Sequence, residues 1–149
     1  MKLSPSIKKA ISNMKPGIIS AEGFLGNENL HLPEIISRDE GEMEKLGLSF
    51  IDVSEKLNHF LKKGESGLGE PISIDEKWIV QIIEAKGNIP CPFEDTMSHK
   101  TAVELTRKES NEIIVYTALS VHLIEKHHFL EGKGSPFRLD PTQLKKVLY

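Results

Sequence analysis

Three of the six histidines, His122, His127 and His128, fall within seven residues, and the chain then runs into Gly132-Lys133-Gly134-Ser135-Pro136-Phe137-Arg138. Imidazoles are metal ligands and acid–base groups near neutral pH. A glycine-rich turn carrying a lysine and a nearby arginine offers backbone N–H groups and cationic donors, the chemistry that holds a carboxylate or phosphate. His122, Lys133, Ser135 and Arg138 are therefore the expected ligand-binding residues. The turn is not a P-loop, because it lacks the upstream glycine at Walker spacing and does not follow a strand.

Ile89-Pro90-Cys91-Pro92-Phe93 is the second segment with chemical potential, since prolines on both sides fix the backbone around the only cysteine. A thiol presented in this way acts as a nucleophile when a histidine lies beside it. Cys91 is thus the candidate catalytic residue, and Cys91, His99, His127 and His128 form the candidate metal set. No family signature surrounds Cys91 and its spacing to the histidines matches no zinc motif. A buried, inert thiol is the ordinary alternative.

Helical geometry separates the histidines. At about 100° per residue, Leu119, Leu123, Ile124 and Leu130 form one apolar arc with His127 near its middle. His122 falls on the polar side with Glu125 and Lys126, and His128 falls at the edge. A zinc pair on one helix uses positions i and i+4, whereas His122 and His127 are five apart and about 140° around. His127 is accordingly expected in the core with its ring nitrogen hydrogen-bonded, no metal is expected, and His122 with the basic turn is the accessible set.

The elements that must position these groups follow from periodicity and punctuation. Ser4-Pro5 caps a first helix that Pro16-Gly17 stops, and Pro33 opens a second with Ile35, Ile36, Met43 and Leu46 on one side. Asp52 and Glu55 resemble a capping box for a third helix through Val53, Leu57, Phe60 and Leu61 to Gly64. Ile72 and Ile74, then Trp78 to Glu84, read as strands, and the alternation from Val103 and from Ile113 reads as a hairpin. Leu119 to about Leu130 is helical with Gly132 as its C-cap, and Asp140-Pro141-Thr142-Gln143 starts a last short helix. The expected fold is α+β: N-terminal helices, a small antiparallel sheet of about four strands, and C-terminal helices, in one domain spanning residues 1–149.

Composition narrows the function classes. The 149 residues are 38% hydrophobic, enough for one core, and carry 19 Lys plus Arg against 22 Asp plus Glu for a formal charge of −3. That balance argues against general nucleic-acid binding. No apolar stretch approaches the roughly 20 residues of a membrane span. A single cysteine permits no intrachain disulfide, which fits a reducing cytoplasmic compartment.

The block Leu119-Ser120-Val121-His122-Leu123-Ile124, His127 or His128, Phe129, Gly132, Gly134-Ser135-Pro136 and Arg138-Leu139, with Ile89-Pro90-Cys91-Pro92 upstream, resembles small bacterial cytosolic proteins without an assigned activity. The resemblance implies a bacterial, cytosolic protein and transfers no residue roles. The leading expectation is a module that binds a small anionic molecule or a protein partner. The alternatives are a Cys- or metal-dependent hydrolase or transferase centred on Cys91 and a histidine, and a regulatory or antitoxin-like interaction protein.

Overall fold

The computed structural model describes residues 3–149. Ser4 accepts a hydrogen bond from the Ile7 N–H and starts α1 (Pro5–Asn13), and α2 (Leu32–Lys45) has Pro33 in its first turn. For α3 (Phe50–Glu65) the N-cap is Ser49, whose hydroxyl accepts from the Asp52 N–H, so the cap lies three residues before the expected Asp52. Both residues suit the N-terminus, but Ser49 is the one with extended backbone geometry.

Four antiparallel strands follow in spatial order β1 (Ile72–Ile74), β2 (Trp78–Pro90), β3 (Met97–Arg107), β4 (Glu112–Thr117). The second strand runs six residues beyond the expected Glu84. Its register shifts between Glu84, opposite Thr101, and Asn88, opposite His99, so Ala85-Lys86-Gly87 bulge against Lys100. This extension carries Pro90 to the end of the strand and sets Cys91 at the mouth of a short loop leading to β3.

Strand alternation sends Val80, Ile82, Val103, Leu105, Ile114 and Tyr116 to one face, where α3, α4 (Ala118–His127) and α5 (Pro141–Leu148) pack. The buried Tyr116 hydroxyl donates to the Leu57 carbonyl at 2.6 Å, which ties β4 to α3. The opposite face leaves Ile79, Ile83, Ile113 and Val115 exposed. A second cluster joins Ala10, Met14, Phe24, Leu32, Ile35, Cys91, Leu119, Leu123 and Phe129.

α4 is buried on both sides: Val121 and Ile124 face the sheet-side core, while Leu119 and Leu123 face the second cluster. Thr117 and Ser120 cap its start reciprocally, each hydroxyl accepting from the other's backbone N–H at 3.0 Å. It ends at His127, earlier than the expected Leu130, because His128 takes a left-handed conformation (φ 52°). Gly132 is therefore not its C-cap. Asp140 caps α5 by accepting from the Thr142 and Gln143 N–H groups. Among the described residues no helix is long and apolar enough to cross a membrane.

Candidate metal centre

Cys91, Asp95, His122 and His127 converge, with one potential ligand atom from each lying within 4.8 Å of all the others. Two elements supply them. The β2–β3 loop turns tightly as the Glu94 N–H donates to the Cys91 carbonyl (2.9 Å) and the Cys91 N–H to the Thr96 carbonyl (3.0 Å). Asn13, at the end of α1, clamps this loop by donating to the Pro92 carbonyl at 2.9 Å.

The second element is α4. On its wheel Leu119 and Leu123 lie about 60° and 100° around from His122, between the two imidazoles. The Cys91 loop packs on that apolar face, so both histidines reach it from its flanks. His122 Nε2 is 2.9 Å from Asp95 Oδ1, and His127 Nε2 is 2.7 Å from Asp95 Oδ2. Phe93 stacks on the His127 ring with centroids 3.9 Å apart and fixes its plane.

The expectation that the two histidines occupy separate environments is thereby corrected. The i,i+4 rule assumes a ligand on one helical face, whereas here a docked loop bridges two flanks. His127 is half-buried and hydrogen-bonded, though to an ionisable partner rather than within the core. His99 and His128 do not join Cys91. His99 pairs across the sheet with Asn88, and His128 stacks on Phe50 and bonds Glu40 at 2.7 Å.

Burial pushes the Cys91 thiol up to about 12, and the neighbouring Asp95 carboxylate adds to the shift. Burial also raises Asp95, but hydrogen bonds from Cys91, His122 and His127 outweigh it and hold the carboxyl well below its ordinary range. The order of groups is wrong for a thiol nucleophile. A neighbouring imidazole activates a cysteine, but beside Cys91 the Asp95 carboxylate opposes thiolate formation, and neither ring, though within 4.8 Å, hydrogen-bonds the sulfur among the described residues.

The expected anion site does not assemble. Arg138, only 10% exposed, sends both Nη groups to the carboxylate of buried Asp39, and its Nη1 also reaches the Glu131 carbonyl at 2.9 Å. Arg38 forms a two-pronged pair with Glu28 at 2.6 and 2.8 Å. Glu28 also accepts from the Lys133 N–H at 3.1 Å, and the Arg38 hydrogen bond lowers its pKa. Ser135 donates to Glu131 at 2.5 Å. Arg138, the Lys133 N–H and the Ser135 hydroxyl thus meet the chain's own carboxylates, the Lys133 side chain is exposed, and His122 shares no partner with them.

Asp95 is absent from the expected site residues altogether, and His122 from the expected metal set. The signal was the spacing Cys-x3-Asp followed by His-x4-His, which falls within the short ligand intervals of zinc sites once the histidine pair is not confined to one helical face. No family model, curated protein or solved structure matches the chain.

Proposed function

We propose that this protein binds one divalent transition-metal ion, zinc best of all, through Cys91, Asp95, His122 and His127. The observation that carries this reading is the convergence of a sulfur, a carboxylate and two imidazole nitrogens within 4.8 Å. A tetrahedral zinc shell places its donors about 3.3–3.8 Å apart, given bonds of about 2.0–2.3 Å. Only small movements of an exposed carboxylate and two ring edges separate the present arrangement from that shell.

Ligand chemistry favours the same class of ion. Thiolate and imidazole select zinc-like metals over magnesium and calcium, which prefer all-oxygen shells. Thiolate plus carboxylate offsets the two positive charges, and the Cys91 proton leaves as the metal binds. On binding, each Nε2 would give up the proton it donates to Asp95 and direct its lone pair to the metal, the neutral ring keeping its proton on Nδ1. Four protein donors complete a tetrahedron, so the role is a structural or metal-responsive clasp between the β2–β3 loop and α4. The hydrolase or transferase reading requires an open coordination position that this donor set does not leave.

Cobalt(II) titration of chelator-treated protein, purified without a polyhistidine tag, tests the reading. Binding of one ion per chain should produce the visible bands of a tetrahedral site and a thiolate charge-transfer band. Zinc should abolish both by displacement, Cys91→Ala should remove the charge-transfer band, and His122→Ala with His127→Ala should remove binding. Absence of saturable binding, or an unchanged spectrum in Cys91→Ala, overturns it.

A further inference from the structure

Glu131 is a buried carboxyl with no cation paired to it. It is 5% exposed, one oxygen accepts from the Ser135 hydroxyl at 2.5 Å, and the only arginine nearby is engaged with Asp39 and with the Glu131 backbone carbonyl. No ion pair reaches its side chain among the described residues. The other oxygen, Oε2, accepts no hydrogen bond among the described residues and is not fully enclosed, since the fully buried side-chain polar atom left without a partner there is Arg138 Nε. A largely buried carboxyl with one free, reachable oxygen can accept from a ligand's donor.

The backbone holds Glu131 in place deliberately. Its φ is 66°, a left-handed conformation uncommon for a residue with a β-carbon. Its surroundings are rigid: the Gly132 N–H donates to the Phe24 carbonyl at 2.9 Å, and the Leu139 N–H donates to the Leu130 carbonyl at 3.1 Å. A β-carbon on Gly132 would come within 1.9 Å of the Leu25 carbonyl oxygen, so this close approach requires glycine.

Glu131 lines a cleft of about 470 Å³ whose walls include Phe24, Ile83, Ile89, Leu119 and Phe137. That volume is within the range of small-molecule sites, which combine apolar walls with few polar anchors. The cleft is apolar over most of its wall; its ionisable lining residues are Glu131 and the exposed Glu22, His99 and Lys100, so Glu131 is the buried one, with no ion pair to its carboxylate among the described residues. We propose that the cleft binds a small apolar molecule bearing a primary amine, the ammonium group pairing with Glu131 and the hydrocarbon lying against Phe24, Ile89 and Phe137. A hydroxyl or amide would supply a hydrogen bond without the counter-charge, whereas an ammonium supplies both. This site shares no residue with the metal centre.

Calorimetric titration near neutral pH with n-octylamine, n-octanol and n-octanoate, which share one hydrocarbon tail, tests the proposal. Octylamine should bind saturably, one per chain, about tenfold or more tighter than the other two, the step a charge-assisted hydrogen bond provides. Glu131→Gln should lower octylamine affinity about tenfold or more and leave octanol unchanged. Ala102→Trp, which narrows the cleft and keeps the carboxyl, should weaken octylamine by a similar factor and decides the matter if Glu131→Gln does not fold. Octanoate binding as tightly as octylamine, unchanged octylamine affinity in a folded variant, or no saturable binding of octylamine overturns it. Cys91→Ala should leave octylamine binding intact, which keeps this test separate from that of the metal centre.

Discussion

Around Arg138 the charges answer one another: Arg38 and Arg138 face Glu28 and Asp39, and the backbone N–H of Lys133 is absorbed by Glu28. Around Cys91 the groups are all of one kind. Sulfur, carboxylate and two imidazoles, all potential metal ligands, lie within 4.8 Å of one another with no arginine or lysine among them. The first constellation pairs its arginines with internal carboxylates, leaves only Arg138 Nε without a partner among the described residues, and holds α2 against the C-terminal loop. The second is satisfied only by sharing protons, and a cation would satisfy it better. Cationic residues near glycines do not define an anion site unless their counter-charges are absent from the fold, and scattered histidines do not exclude a metal site.

The contrast predicts where substitutions register. The largest effect should come from Asp39→Ala, since Asp39 is 1% exposed and its loss leaves Arg138 buried without its carboxylate. Breaking such a pair costs about 3–5 kcal/mol, readable as a lower urea midpoint. A smaller loss, within about 1 kcal/mol, would mean that this network is not what holds α2.

Glu131 gives the next effect. Burial raises its pKa from 4.5 to about 7, so the native state keeps a proton that the unfolded chain releases between those values. Its contribution to stability is fully present below pH 4.5, falls as pH rises toward 7, and levels off above it, by up to about 3 kcal/mol in total. Denaturant titrations across that range should show the slope in the wild type and a flatter profile in Glu131→Gln.

At the metal centre the sign of the substitution should depend on conditions. With free zinc at about 100 times its dissociation constant, the wild type should gain about 2.7 kcal/mol, seen as a higher melting temperature that a chelator reverses. Cys91→Ala should lose most of that gain. The smallest effect is expected from Phe93→Leu, which removes a ring stack worth about 0.5–1.5 kcal/mol and frees the His127 plane. It should weaken metal affinity while leaving the stoichiometry unchanged.

Much of the scaffold was legible because its determinants are local. Ser4-Pro5 and Asp140-Pro141 each carry a cap and a first helical residue in adjacent positions, and the antiparallel order of strands follows from their short connections. The α3 start was misplaced because Ser49 and Asp52 both fit a helix N-terminus, and only backbone conformation chooses between them. The sites depend on distant pairings. Asp95 reaches His122 only after β2 has run through its bulge to Pro90 and the loop has docked on α4. Arg138 is neutralised by Asp39, a residue 99 positions away on α2. Neither fact leaves a trace in local periodicity.

The double burial of α4 has a consequence for cooperativity. α4 places side chains in both clusters, as does α2 through Met43 on one side and Leu32 and Ile35 on the other. Neither hydrophobic body can open without stripping contacts from a helix that the other needs, so sub-global opening of one is suppressed by the other. The histidines ride on the segment that both halves guard, and an ion gripped there would report on the integrity of the whole molecule rather than on one loop.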